Sequence, residues 1–104
     1  MNRKRRAQME IYTITMFENF DITNNYTRCV GFFLDLEDAK KAVKNNQGDI
    51  NECCYNYAVI EKIGEGIYSP NYERWFYEYD LSNNQYVEME EPEPFKGIYN
   101  FSIG

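Results

Sequence analysis

The segment that most constrains the fold is DLEDAKKAVKNNQG at 35–48, the clearest helical signal in a chain otherwise rich in strand patterns. Asp35 is suited to cap a helix, and Glu37 and Asp38 place negative charge in its first turn. The apolar residues at helical spacing form one narrow stripe, which consists of Leu36, Ala39, Ala42 and Val43. Asn45, Asn46 and Gly48 supply a stop. We therefore expect one short helix lying on a sheet.

Segments with strand-like patterns surround this helix, at 10–17, 28–34, 53–63, 73–81 and 85–90. The first predicts a strand with one well-buried face, and Gly31 in the second indicates a bulge or a close approach. The sequence Ser82-Asn83-Asn84 predicts a hairpin, because Asn tolerates positive φ. The expected fold class is α+β, a small, mostly antiparallel sheet in the order β-β-α-β-β-β with one helix packed on a face.

The other segments are connections and a tail. Residues 18–27 and 64–72 are rich in Asn, Asp, Gly and Pro and indicate loops. Pro92 and Pro94 predict an extended acidic spacer without helix. The aromatic tail at 95–104 is expected to dock on the body, because its large apolar side chains would otherwise be exposed. At 104 residues, the chain has the length of a single domain.

A basic arm precedes an acidic body. Four of the 11 Lys and Arg residues lie in Arg3–Arg6, which leaves 7 against 17 Asp and Glu in 9–104, a net charge of −10. We expect 9–104 to form the single domain. The favoured interpretation of 1–8 is that Met9 is the true initiator, since codons for Lys4–Arg6 can contain a purine-rich ribosome-binding sequence. The alternative is that 1–8 is a disordered basic arm. A body of this charge repels nucleic acid, so no nucleic-acid partner is expected.

The amino-acid composition limits the catalytic and metal-binding chemistry that the chain can perform. Histidine is absent, which removes the commonest general base and metal ligand, so we expect a protein that is not an enzyme. Carboxylate-based catalysis would need two acidic side chains facing each other in a cleft. The acidic residues of DLED are explained by helix capping, and three cysteines without histidine cannot form a standard zinc site. No metal and no cofactor are therefore expected, and at least one cysteine is expected to be a small buried hydrophobe.

The chain contains neither an apolar run of membrane-spanning length nor a secretory signal pattern. The odd number of cysteines agrees with reduced thiols. We therefore expect a cytoplasmic protein with no membrane partner.

Aromatic residues make up 17% of the chain and supply the best binding candidates, since Tyr and Trp anchor many interfaces. The candidate binding residues are Tyr55, Tyr57, Trp75, Tyr77, Tyr79, Glu88, Glu90 and Glu91. Core packing is the alternative explanation for the aromatic residues. In the strand at 73–80, Phe76 shares a face with Arg74, Glu78 and Asp80, so alternation favours the Trp75 face as the core face.

Several segments carry a resemblance: TMFENFD, RCVGFFLDLEDAKKAV, YNYAVIEKIGEGIYSP, RWFYEYD and EEPE…NFSIG. They resemble a set of short proteins from Firmicutes and their phages or mobile elements, a set without an assigned function. The likeness covers nearly all residues from Met9 onward. It implies a small cytosolic domain in accessory or mobile-element biology, and it transfers no catalytic residue.

The leading hypothesis is therefore a non-enzymatic binding or inhibitor protein that acts on a protein partner through an acidic, Tyr-rich surface. An anti-defence role would follow from the resemblance alone. The alternative is a small-ligand protein that binds or sequesters a nucleotide-like molecule, with a positive pocket formed by Arg28, Lys62, Arg74 or Lys96. Homo-oligomerisation through an edge strand is a further option, since a short sheet leaves edges to protect.

Overall fold

A computed structural model of the chain describes residues 9–19, 26–66, 73–96 and 101. The elements there are β1 (Glu10–Phe17), β2 (Thr27–Phe33), α1 (Leu36–Lys44), β3 (Tyr57–Gly64), β4 (Arg74–Asp80) and β5 (Gln85–Met89), with 3₁₀ turns at Gln47–Asp49 and Glu93–Phe95. The predicted α+β fold is confirmed. The arm at 1–8 and most of the predicted loops at 18–27 and 64–72 lie outside the described residues.

The strands form one five-stranded sheet in the order β2-β1-β3-β4-β5, and each neighbouring pair is antiparallel. Ile14 pairs with Gly31 and Thr15 pairs with Cys29, which leaves Val30 as an extra residue in β2. The bulge predicted near Gly31 is therefore present. It lies in an edge strand, where an extra residue bends the strand and increases its twist.

Helix α1 packs on one face of the sheet and begins as predicted. The backbone N–H of Asp38 donates to the Asp35 carboxylate at 3.1 Å, and Asn45 caps the other end. Ala39, Ala42 and Val43 are buried against a core that includes Ile14, Met16, Ala58, Ile60, Tyr77 and Tyr86. We call this side of the sheet the helix face.

The opposite side of the sheet, the tail face, is also buried, which differs from the expectation of one well-buried face on β1. Phe17 is buried there with Val59, Phe76 and Phe95, and Phe101 packs against them. The predicted docking of the tail is thus confirmed at Phe95 and Phe101, while 97–100 and 102–104 lie outside the described residues. The predicted extended spacer is wrong at its end, because Glu93–Phe95 forms a 3₁₀ turn that directs Phe95 into this cluster.

The third strand begins at Tyr57, not at Cys53 as predicted, because residues 51–54 form a turn. Asn51 is 8% exposed, and its side chain donates to the Tyr55 carbonyl at 2.8 Å and accepts from the Cys53 N–H at 2.9 Å. These bonds hold a turn in which Glu52 and Cys53 both have positive φ. All three cysteines are free and exposed, so the expectation that at least one is buried is wrong.

Candidate functional site

The eight predicted binding residues do not form one surface. Tyr55, Trp75, Tyr77 and Tyr79 pack with the helix-face core, Tyr57 lies on the tail face, and Glu88, Glu90 and Glu91 lie along or just after β5. Tyr57 stacks on Phe17 with ring centroids 5.4 Å apart. The Trp75 face is a core face, as alternation predicted, yet Phe76 on the opposite side is buried as well.

Several of these aromatic side chains are engaged within the molecule. The Tyr79 hydroxyl donates to the Asn84 side chain, and the Lys40 ammonium lies 5.6 Å from the centre of the Trp75 ring. Tyr77 is only 4% exposed. The aromatic residues therefore serve mainly as core, which leaves little of the predicted Tyr-rich surface available to a partner.

The cations predicted for an anion pocket are dispersed and paired. The ion pairs are Arg28–Glu52 at 3.1 Å, Lys62–Glu73 at 3.1 Å, Arg74–Glu91 at 3.8 Å and Lys96–Glu93 at 3.2 Å. The hydrogen bond from Lys62 to Glu73 and the nearby Glu10 carboxylate raise the pKa of Lys62. The structure thus brings none of these four cations together in one pocket.

Arg74 also lies against a buried carboxylate that the sequence did not single out. Glu61 is fully buried on the tail face, 3.9 Å from the Arg74 guanidinium. Its carboxylate oxygens accept the backbone N–H of Phe101 at 2.9 and 3.1 Å. Glu61 therefore anchors the tail to the sheet, which makes its role architectural.

One surface open to a partner is the edge of the sheet formed by β2, which we define as Tyr26–Leu34 and call the β2 edge. Within the described residues, β2 pairs with β1 alone, so its other side has no strand neighbour. Three large apolar side chains project from this edge, with exposed fractions of 70% for Tyr26, 58% for Phe32 and 67% for Leu34. Exposed apolar groups beside an unpaired strand are typical of an interaction site.

A groove of about 760 Å³ runs beside the β2 edge. Its walls are β2 and the segment 47–52, and Ile14 and Ala42 contribute to its lining. Arg28 bridges to Glu52 across the groove, with contacts of 3.1 and 3.3 Å to the two carboxylate oxygens. Asp49 adds a second carboxylate, so the charged residues of the lining sum to a net negative charge.

The prediction of a strand at 28–34 did not identify this surface, because the pattern does not show which strand lies at the edge. One signal was present: Phe32, Phe33 and Leu34 are consecutive and apolar. Since neighbouring strand residues point to opposite faces, three such residues together exceed what a one-sided strand can bury.

No group of three or more Cys, Asp or Glu side chains among the described residues is arranged to hold a metal ion. No helix in the described part of the chain has the length and apolar character needed to cross a lipid bilayer. Comparisons with protein-family profiles, with curated proteins and with solved structures find no match.

Proposed function

We propose that the protein is a non-enzymatic binding protein that captures an extended, basic segment of a partner protein along the β2 edge. The observation that carries this proposal is the unpaired side of β2, flanked by Tyr26, Phe32 and Leu34 and by the groove lined with 47–52.

Strand addition explains how this surface would bind. Alternate backbone N–H and C=O groups of an edge strand point away from the sheet and can form a new ladder with an incoming strand. The exposed rings of Tyr26 and Phe32 and the Leu34 side chain would cover alternate side chains of that strand. Main-chain hydrogen bonds would supply affinity, while the groove beside β2 would supply specificity.

Charge determines the expected occupant. The body carries a net charge of −10 over residues 9–104, and Asp49 and Glu52 line the groove itself. A segment rich in Lys and Arg is therefore attracted, and its encounter is accelerated by the field of the protein. A second copy fits less well, because it repeats the same net negative charge.

The sequence resemblance supports a biological setting for this activity. An inhibitor that occupies a basic segment of a host protein would suit an accessory protein of a phage or mobile element. That role rests on the resemblance to the Firmicutes set, and a cytoplasmic location is proposed on the same ground.

The test is selection of random dodecapeptides displayed on phage against the chain started at Met9. We expect enrichment of peptides that alternate basic and apolar residues. Hydrogen exchange should then show protection of the backbone amides of Thr27–Phe33 on binding of the selected peptide. Phe32→Lys should weaken binding by about tenfold or more, because it removes an apolar contact and adds a repulsive charge.

The matched control is Val87→Lys, which introduces the same charge in place of an exposed apolar side chain in the opposite edge strand, where Val87 is 54% exposed. It should leave the affinity of the selected peptide unchanged. Enrichment of acidic or helical peptides, or protection of Gln85–Met89 in place of Thr27–Phe33, would refute the proposal.

A further inference from the structure

A second groove, of about 650 Å³, lies on the helix face between α1 and β5, away from the β2 edge. Its charged groups are Glu37, Lys40, Lys41 and Lys44 on the helix side and Glu88 on the sheet side. Tyr77 and Tyr86 also line the sheet side, and the Tyr86 hydroxyl donates to the Tyr55 carbonyl. The helix residues are spaced at i, i+3, i+4 and i+7, so they share one face of α1. We call this feature the α1–β5 groove.

The groove is electrically polarised along its length. The C-terminal end of α1 lies near the start of β5, where the Asn46 side chain donates to the Asn84 side chain at 3.3 Å. Glu37 at the other end of α1 and Glu88 near the end of β5 both act electrostatically on Tyr77. One end of the groove is therefore acidic and the other basic. The seven-residue offset from Glu37 to Lys44 along the helix separates these ends by about 10 Å.

Apart from the contact of Lys40 with the Trp75 ring, the charged groups of this groove have no charged partner among the described residues. No ion pair with another described residue involves Glu37, Glu88 or the three lysines. This holds even for Glu37 and Lys41, whose i, i+4 spacing permits a pair. Lys40 lies over the Trp75 ring, while Lys41 and Lys44 are exposed. Both ends of the groove thus keep their charges available to a ligand.

The Tyr77 hydroxyl is a second, independent feature of the groove. Tyr77 lines the groove although its side chain is 4% exposed, and no described residue forms a hydrogen bond with its hydroxyl. Burial, together with Glu88 and Glu37, raises the pKa of Tyr77, so the hydroxyl keeps its proton and remains a donor. The ring of Tyr77 is buried, but its hydroxyl lies at the groove, where it can donate to a ligand oxygen.

The geometry points to a binding site for a short peptide with free termini, held in the α1–β5 groove. The ammonium group would lie between Glu37 and Glu88, a backbone carbonyl would accept the Tyr77 hydroxyl, and the carboxylate would contact Lys41 and Lys44. An extended peptide of about three residues spans the required distance of about 10 Å. This site is separate from the β2 edge and uses none of its residues.

The test is a titration of the full chain with trialanine, followed by NMR shifts of the backbone amides. We expect the largest shifts in 37–44 and 85–88. The same peptide with an acetylated N-terminus, or with an amidated C-terminus, should bind about tenfold more weakly, because each lacks one of the two terminal charges.

Single substitutions show which end of the groove binds the ammonium group of the peptide and which end binds its carboxylate. Lys44→Gln should weaken trialanine binding several-fold without affecting the C-amidated peptide, and Glu88→Gln should do so without affecting the N-acetylated peptide. Lys96→Gln and Glu90→Gln make the same charge changes outside the groove and should bind trialanine like the unmodified chain. Tyr77→Phe should weaken all three peptides, since it removes the hydroxyl and retains the buried ring.

Three outcomes would overturn the peptide site. These are an absence of shifts in 37–44 and 85–88, equal binding of the free and blocked peptides, and displacement of trialanine by acetate at equal concentration, which would indicate a site for anions alone. Shifts confined to Thr27–Phe33 would assign the peptide to the β2 edge and would also refute the groove site. If trialanine does not bind in the α1–β5 groove, the phage-display test of the β2 edge still stands, because Phe32 does not line the α1–β5 groove.

Discussion

Replacement of Glu61 by Gln tests the anchoring of the tail most directly. Glu61 is 0% exposed, its carboxylate accepts the Phe101 N–H at 2.9 and 3.1 Å, and Arg74 lies 3.9 Å away with 11% of its side chain exposed. Gln preserves the volume and one carbonyl oxygen but removes the charge. The change therefore isolates the charge of Glu61 from its packing.

The expected loss of stability in Glu61→Gln follows from the contacts of Glu61 with the Phe101 N–H and with Arg74. Converting the charge-assisted hydrogen bond to Phe101 into a neutral one costs about 1 kcal/mol. Breaking a buried ion pair costs about 3–5 kcal/mol when the remaining charge is left without a partner. Arg74 keeps a second carboxylate, Glu91, at 3.8 Å, which offsets much of that cost. We expect Glu61→Gln to lower the free energy of unfolding by about 2–3 kcal/mol, with a fall in Tm of about 10–20 °C for a domain of this length.

The assay is urea denaturation followed by the fluorescence of Trp75, the single tryptophan of the chain. Hydrogen exchange at the Phe101 amide should accelerate in parallel. Glu78→Gln is the matched control, because Glu78 lies on the same tail face but is exposed. A change below about 0.5 kcal/mol, or a rise in stability, would show that desolvation of the Glu61 charge cancels its contacts and would refute the reasoning.

Three further predictions concern the core and its polar contacts. Phe95→Ala removes a side chain that is 1% exposed and 4.9 Å from the Phe17 ring centre, and should cost about 3–5 kcal/mol in urea denaturation; a cost below about 1 kcal/mol would contradict docking of the tail. Asn51→Ala removes the side-chain hydrogen bonds to the Cys53 N–H and the Tyr55 carbonyl and should lower the free energy of unfolding by about 2–3 kcal/mol. An unchanged free energy of unfolding would mean that the turn is stable without the Asn51 side chain. Burial raises the pKa of Tyr86 to about 12, so its contribution to stability is complete below pH 10 and is lost as the pH rises toward 12. Urea midpoints measured across that range should fall less steeply for Tyr86→Phe, and equal slopes would contradict the shift.

Local structure was predictable where interactions between residues close in sequence determine it. The cap at Asp35, the stripe that contains Ala39 and Val43 and the Asn-rich hairpin turn all lie within a few residues of the contacts they make. Asn84 has a φ of 53°, as the hairpin prediction required. The turn at 51–54 was missed because the segment from Cys53 onward has a strand-like pattern, whereas the Asn51 side chain forms local bonds with Cys53 and Tyr55 that hold a turn.

The candidate sites were less predictable. The exposure of Phe32 and Leu34 depends on β2 lying at the edge of the sheet, which no period in the sequence specifies. The Glu37–Lys44 stripe was visible in the sequence as a charged helix face. Its position opposite Glu88, which creates the groove, follows only from the packing of α1 against β5.

The sequence alone determined the α+β class, the order of elements and the negative charge of the body, because hydrophobic period, caps and composition act locally or by simple sum. The tertiary structure decided which faces are covered and which charges are paired. The bond between Glu61 and Phe101 joins residues 40 positions apart, and it is part of the arrangement that closes the tail face over β1. Such contacts form only when separate elements pack into one core, so the pattern of neighbouring residues in the sequence does not predict them.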